Sequence, residues 1–438
     1  MREGVRLNLF QRMMIRWRDL HPYNPVHVAR VSAALEPERL RACIAQRLEA
    51  LGVTGVRVDR VRWRLRYYAG PANVDLVVIG AGNDPQAELN RAIERQFNLP
   101  FAGTAHESPF RFIAVDEGDA FQLLLVYDHF VASGDSIAQL LTGIACSYTG
   151  HVATAAAPPP RRSADTYRSV FLHHPMWAAR ALFGLPRLLA NGRRAYRPPY
   201  VNVQDAHNAF TCILLGREQT SVLLATAKAW DVTFNDLLMA CLLIALSPLT
   251  VGRRRERRRN QIAIASILNM RRDFQPDAHD ALSPSLAAFR VSHAVPDGIG
   301  LRHLAQDLHT ETARIKRGHL YLQSIIALGV TALMWPRLSV PRQHALYPKH
   351  FPASAGVTSF NVNPLWDQMA CADTARLDYL RAVPTGPLCP LVLAVTTAHD
   401  KVHVGVAFRT AAYSHEAISA LLTEFRRCID QLNTEPSA

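Results

Sequence analysis

Two adjacent residues, Asp128 and His129, stand at the end of a run over residues 121–127 that is apolar but for Gln122. Phe130-Val131-Ala132 and then Ser133-Gly134-Asp135-Ser136 follow them. An imidazole titrates near neutrality, so a histidine at the mouth of a strand beside a glycine turn suits a general base. Asp128 would either strengthen that base by its charge or face solvent. A histidine kept only for packing is the plain alternative.

The positioning elements can be read around this pair. Phe121, Leu123, Leu124, Leu125, Val126 and Tyr127 are apolar, β-branched or aromatic, and predict a strand; 133–136 predict a turn feeding a helix. Upstream, helical spacing over 5–20 precedes a strand at 26–33, a helix at 36–50, strand pieces at 56–69 and 74–79, a helix from 85, and a strand at 110–116. The segment 154–162 contains three consecutive prolines and predicts a linker. Beyond it, 164–190 predicts helix. Then come a strand at 208–215, helices at 218–229 and 237–246, a strand at 261–268, helices at 299–318 and 320–335, strands at 356–362, 378–383, 388–397 and 401–408, and a closing helix at 415–432. Strands and helices mix in both halves, which predicts two similarly built α/β lobes.

Composition sets the bounds. The chain has 438 residues, 49% hydrophobic and 19% charged, which describes a folded protein large enough for two domains. No signal peptide is read at the basic start. The seven cysteines are scattered and predict reduced, buried thiols in a cytoplasmic protein. A formal charge of +13 is dominated by arginine and is densest over 253–259. That run predicts either a solvated loop or contact with an anionic partner; without interleaved aromatics, nucleic acid is the least favoured. The apolar 320–335 segment is short for a membrane span. It predicts a buried or interfacial helix, with contact at a membrane's inner face as one expectation.

Several motifs, in order, resemble the superfamily of CoA- and carrier-dependent acyltransferases. This includes nonribosomal peptide condensation domains, polyketide-associated acyltransferases and wax-ester or diacylglycerol acyltransferases. Asp128-His129-Phe130-Val131-Ala132-Ser133-Gly134 aligns with the family's HHxxxDG. His129 matches the catalytic histidine, Asp128 replaces the first histidine and Ser133 the aspartate. Glu94-Arg95-Gln96-Phe97-Asn98-Leu99 with Pro109-Phe110-Arg111 is similar to FDL…PLxR, and Thr233-Phe234-Asn235-Asp236 to TxND. Asn269-Met270-Arg271-Arg272 resembles the strand-end arginine segment, and Ser359-Phe360-Asn361-Val362-Asn363-Pro364 an SNVPG-like crossing strand.

The resemblance implies a two-lobed α/β sandwich like chloramphenicol acetyltransferase, with mixed sheets, helices in both lobes and a channel between them. It places an N-terminal lobe at 1–153, a linker and crossover helix at 154–200, and a C-terminal lobe at 201–438 with its crossing strand near 356–364. It implies transfer of an acyl group from a CoA or phosphopantetheine thioester to an alcohol or amine, with His129 as base, in lipid or secondary-metabolite biosynthesis. No metal or tightly held cofactor is implied. The partners are the acyl thioester and an acidic carrier protein.

The same resemblance expects the motif's acid to pair with Arg271 (or Arg272). Ser133 cannot supply the charge, and Asp135 and Asp128 both sit at other offsets. Asn235 and Asp236 are expected at a helix start between lobes, and Asn361 along the channel. A degenerate, non-catalytic binding module in a biosynthetic system is the alternative function.

Overall fold

The computed structural model describes residues 4–103, 107–150, 167–274, 282–369 and 377–432. Among them, fourteen strands run in chain order: β1 Val5–Arg6, β2 Val26–Val31, β3 Gly55–Asp59, β4 Arg64–Tyr68, β5 Leu76–Gly80, β6 Phe110–Asp116, β7 Phe121–Tyr127, β8 Asn208–Leu215, β9 Ile262–Asn269, β10 Leu286–His293, β11 Ala355–Asn361, β12 Leu377–Ala382, β13 Leu391–Ala398 and β14 Lys401–Arg409. They build a five-stranded sheet ordered β12-β2-β7-β6-β5 and a six-stranded sheet ordered β10-β9-β11-β13-β14-β8. A small β1-β4-β3 sheet completes the set.

Strand β7 is buried along its whole length because helices cover both faces of its sheet. Leu123 and Leu125 join the core under helices Pro37–Leu51 and Gly134–Tyr148, while Leu124 and Val126 pack with Leu89, Ile93 and Phe97 of helix Pro85–Asn98. A strand covered on both sides shows no polar alternation, which explains the continuous apolar run from Leu123 to Tyr127.

The crossing strand is not where the sequence placed it. The 356–364 segment carries β11, which lies inside the six-stranded sheet, parallel to β13 and β9. The strand that leaves its own half is β12, antiparallel to β2, with Arg381 opposite His27. Gly405 of β14 makes the crossing feasible, because a Cβ there would be driven into the Arg381 carbonyl oxygen.

Three further expectations change. The 56–69 piece is two antiparallel strands, β3 and β4. The 164–190 segment divides, over its described part, into helices Tyr167–His173, Pro175–Phe183 and Leu185–Arg194. Cys146 is disulfide-bonded, whereas Cys43, Cys212, Cys241, Cys389 and Cys428 are free thiols. The expected linker at 154–162 and Cys371 lie outside the described residues.

The arginine run is also more structured than a solvated loop. Arg253 is buried and donates to the carbonyls of Ser247 and Val295, both at 3.0 Å. Arg254 pairs with Asp297, and Arg259 donates to the Ala195 carbonyl at 2.9 Å.

Candidate active site at the end of strand β7

The turn after β7 is held from several directions. Asp128 N–H donates to the Pro109 carbonyl at 3.2 Å and Val131 N–H to the Asp128 carbonyl at 2.9 Å. Gln11, from helix Leu9–Arg18, donates to the Phe130 carbonyl at 2.9 Å. Ser133 N–H donates to the Leu282 carbonyl at 2.8 Å, tying the motif to the second half of the chain. Ser133 then caps helix Gly134–Tyr148, its side chain accepting from Ser136 N–H.

His129 is buried, with its ring centroid 5.0 Å from Tyr23 and 5.8 Å from Tyr127. Its Nδ1 is enclosed and makes no hydrogen bond. Burial pushes the imidazolium pKa down to about 4, against a smaller opposing pull from the backbone groups of His129 itself and Ala132. The ring is therefore neutral at ordinary pH.

Asp128 does not act on it. Successive residues leaving a strand point to opposite sides, and Asp128 pairs with Arg18, whose guanidinium also lies over the Phe130 ring. Burial raises the Asp128 carboxyl to about 6, although Arg18 opposes the rise. The expectation that Asp128 strengthens the base is thus replaced by an Asp128–Arg18 pair.

The partner of Arg271 is resolved as well. Its guanidinium is buried and donates to the hydroxyls of Ser133 and Ser136, the latter at 2.9 Å. Asp135 Oδ2 lies 3.5 Å from Arg271 Nη1 and accepts from Asn269 Nδ2 at 2.6 Å. The offset of Asp135, expected to be wrong, does bring a carboxylate to Arg271. The second helical residue beyond the N-cap Ser133 is near enough.

A second buried group, not foreseen from the sequence, adjoins His129. His27 on β2 shares a 2.7 Å hydrogen bond with the Tyr379 hydroxyl. Its pKa falls well below the ordinary histidine value through burial first, then through the charge of Arg381 and the nearness of His129. Arg381 is itself fully enclosed. It donates to Thr396 Oγ1 at 3.1 Å and to the carbonyls of Thr358 and Val395 at 3.0 and 2.9 Å. Burial lowers its pKa to about 10, which leaves it charged. Gly134 is the point where these meet: a Cβ there would sit 3.6 Å from His27 and 3.9 Å from Arg381.

The other expected residues are elsewhere. Asp236 closes a capping box with Thr233 and accepts from Thr312 Oγ1 at 2.7 Å and from His309 Nδ1 at 2.8 Å. Asn235 accepts from Ser359 Oγ at 2.7 Å. Both pairs tie elements of the second half to one another, so neither residue is the expected bridge between lobes. Asn361 accepts from Asn363 N–H at 3.1 Å and is exposed, a turn residue rather than a channel wall. A further contact between the halves joins Asn98 and Asn208. Asn98 Nδ2 donates to the Asn208 carbonyl at 2.8 Å, and Asn208 N–H returns to Asn98 Oδ1 at 3.0 Å.

An apolar cavity of about 230 Å³ lies beside this centre. Trp17, Tyr23, Ala288, Leu328, Val357 and Leu388 are among its walls. His129 is not, and Tyr23 is the residue that touches both the cavity and the His129 ring. Among the described residues there is no cluster of three or more His, Cys, Asp or Glu able to hold a metal.

No protein-family model matches the chain, and no curated protein matches it in sequence. Solved structures do match over its full length. The first condensation domain of the CDA synthetase is 14% identical at a TM-score of 0.70, with 100% of this chain and 97% of that one covered. The starter condensation domain of rhizomide synthetase, in complex with C8-CoA, is 14% identical at 0.65, covering 99% and 95%. The epimerization domain from the third module of tyrocidine synthetase B is 14% identical at 0.63, covering 99% and 96%. From its two lobes to its full-length superposition, this chain has the chloramphenicol-acetyltransferase-like fold of condensation domains.

Proposed function

We propose that the chain is an acyltransferase that moves an acyl group from a thioester, on CoA or a phosphopantetheine arm, to an alcohol or amine. The observation that carries the reading is the neutral, buried His129, whose ring packs on Tyr23 while Tyr23 walls the apolar cavity. In this reading the cavity takes the acyl chain and the acceptor's O–H or N–H faces His129.

As the acceptor attacks the thioester carbonyl, its proton passes to the imidazole of His129. The tetrahedral species then collapses, the C–S bond breaks, and the imidazolium returns its proton to the departing thiolate. A base with so low a proton affinity releases the proton readily. The enclosed charges of Arg381 and Arg271 lie beyond His27 and Ser133 and fix the frame rather than the reacting atoms.

The test is intact-mass and chromatographic detection of product from acyl-CoAs and carrier-loaded thioesters. Thioester-dependent product that falls at least about a hundredfold in His129→Ala supports the mechanism; undiminished turnover in a folded variant sinks it. A second reading, a binding module without turnover, is favoured by His129 standing outside the cavity wall. It expects no product from the wild type and tight, specific binding of a protein partner.

A further inference from the structure

Single exposed apolar side chains are ordinary on a protein surface. Four on two consecutive helices are not. On Pro175–Phe183 and Leu185–Arg194, Met176 is 66% exposed, Leu182 54%, Phe183 87% and Leu189 57%. The inner side of this helix pair is fixed. Ala181 is buried with its carbonyl accepting from Gln323 Nε2 at 3.1 Å, and Trp177 is stacked between His174 and His319 at 3.8 and 3.5 Å. The outward apolar residues therefore cannot turn in without breaking those contacts.

The charge around them has one sign. From 167 to 204 the sequence contains no Asp, Glu or Lys, and its six arginines (Arg168, Arg180, Arg187, Arg193, Arg194 and Arg197) are all exposed. Arg187 is drawn partly inward by Glu311 at 3.3 Å. Such a helix pair, apolar at its tips and cationic around them, matches the interfacial helices that lie in the headgroup layer of an anionic membrane.

We infer that the two helices form a docking face for an anionic lipid bilayer, with Leu182, Phe183 and Leu189 entering the acyl boundary and the arginines meeting lipid phosphates. A bilayer fits better than a protein groove because the apolar side chains protrude and residues 167–204 carry no acidic side chain of their own. The position adds a consequence. Gly184, Arg187, Leu188 and Asn191 also wall the apolar cavity, so docking brings its mouth to the lipid surface. No single described helix is long and apolar enough to cross a membrane.

The proposal does not depend on the acyl-transfer reading, because its test reads binding alone. Full-length protein is sedimented with vesicles of phosphatidylcholine, with and without phosphatidylglycerol, at low and physiological salt. Binding is expected only with phosphatidylglycerol and weakens with salt. Phe183→Asp combined with Leu189→Asp lowers affinity roughly tenfold or more, and so does Arg193→Ala with Arg194→Ala. No binding to the anionic vesicles overturns the proposal, as does equal binding by the variants. A wild-type dimer that the Phe183→Asp variant converts to monomer assigns the face to a second copy of the chain, and overturns it too.

Discussion

Arg271 Nη1 lies 3.5 Å from Asp135 Oδ2, across the junction of the two halves. Asp135 thus supplies the negative charge that Ser133 lacks, from two residues further along. The Asp135 side chain is partly exposed, so Asp135→Ala is expected to cost only about 1–2 kcal/mol. Adding Ser133→Asp to it returns most of that loss. Urea midpoints for the single and double variants test the relationship, which fails if the serine replacement rescues nothing.

His129 sets a pH dependence of stability. Its folded pKa is about 4, below the ordinary 6.5, so the unfolded chain binds the extra proton between those values. Stability from this group is whole above about 6.5 and is lost as pH falls toward 4, by up to roughly 3 kcal/mol. The difference between wild type and His129→Gln isolates it from His27 and from Asp128, whose raised pKa acts in the opposite direction. A difference that stays flat from pH 7 to pH 4.5 contradicts the assignment.

Asp236 is expected to be a stability residue alone. Asp236→Ala strands the Thr312 hydroxyl, His309 and the first-turn Thr233 donor, at a cost of about 3 kcal/mol. Asp236→Asn costs about half. Turnover per folded molecule should stay unchanged; a selective loss of activity at full folding would show another role.

Chain-length selectivity should follow the cavity. Ala288→Phe places a ring in its wall. Long-chain acyl thioesters are expected to lose about tenfold or more in kcat/KM while acetyl transfer is nearly spared. Equal losses for both would disconnect the cavity from the acyl chain.

What the sequence revealed and what it hid follow from how local each feature is. Strand β7 was readable because six of its seven residues are apolar or aromatic and a turn follows them. The motif order carried the fold with it. Strand β10 was hidden by its small residues, since Ala287 and Ala288 give weak alternation, and helix Val340–His350 by prolines in its first and last turns. The crossing strand was misplaced because β11 and β12 are both short strands, and which sheet each joins is decided by distant partners. Arg381 reads as a surface residue in LDYLRA; only the carbonyls of Thr358 and Val395 and the hydroxyl of Thr396 make its burial tolerable. Of the site, His129 was legible by type and place. Tyr23, His27 and Arg381 were not, because no spacing links them.

The position of β12 also governs how the protein can be divided. It covers the outer edge of β2, so a fragment ending before residue 377 would present that edge bare, with its backbone donors and acceptors ready to pair with another chain. The first half is therefore finished only when the second has been made. A ribosome that has released the first lobe has not yet released a closed sheet, and assembly of this site waits on almost the last strand of the chain.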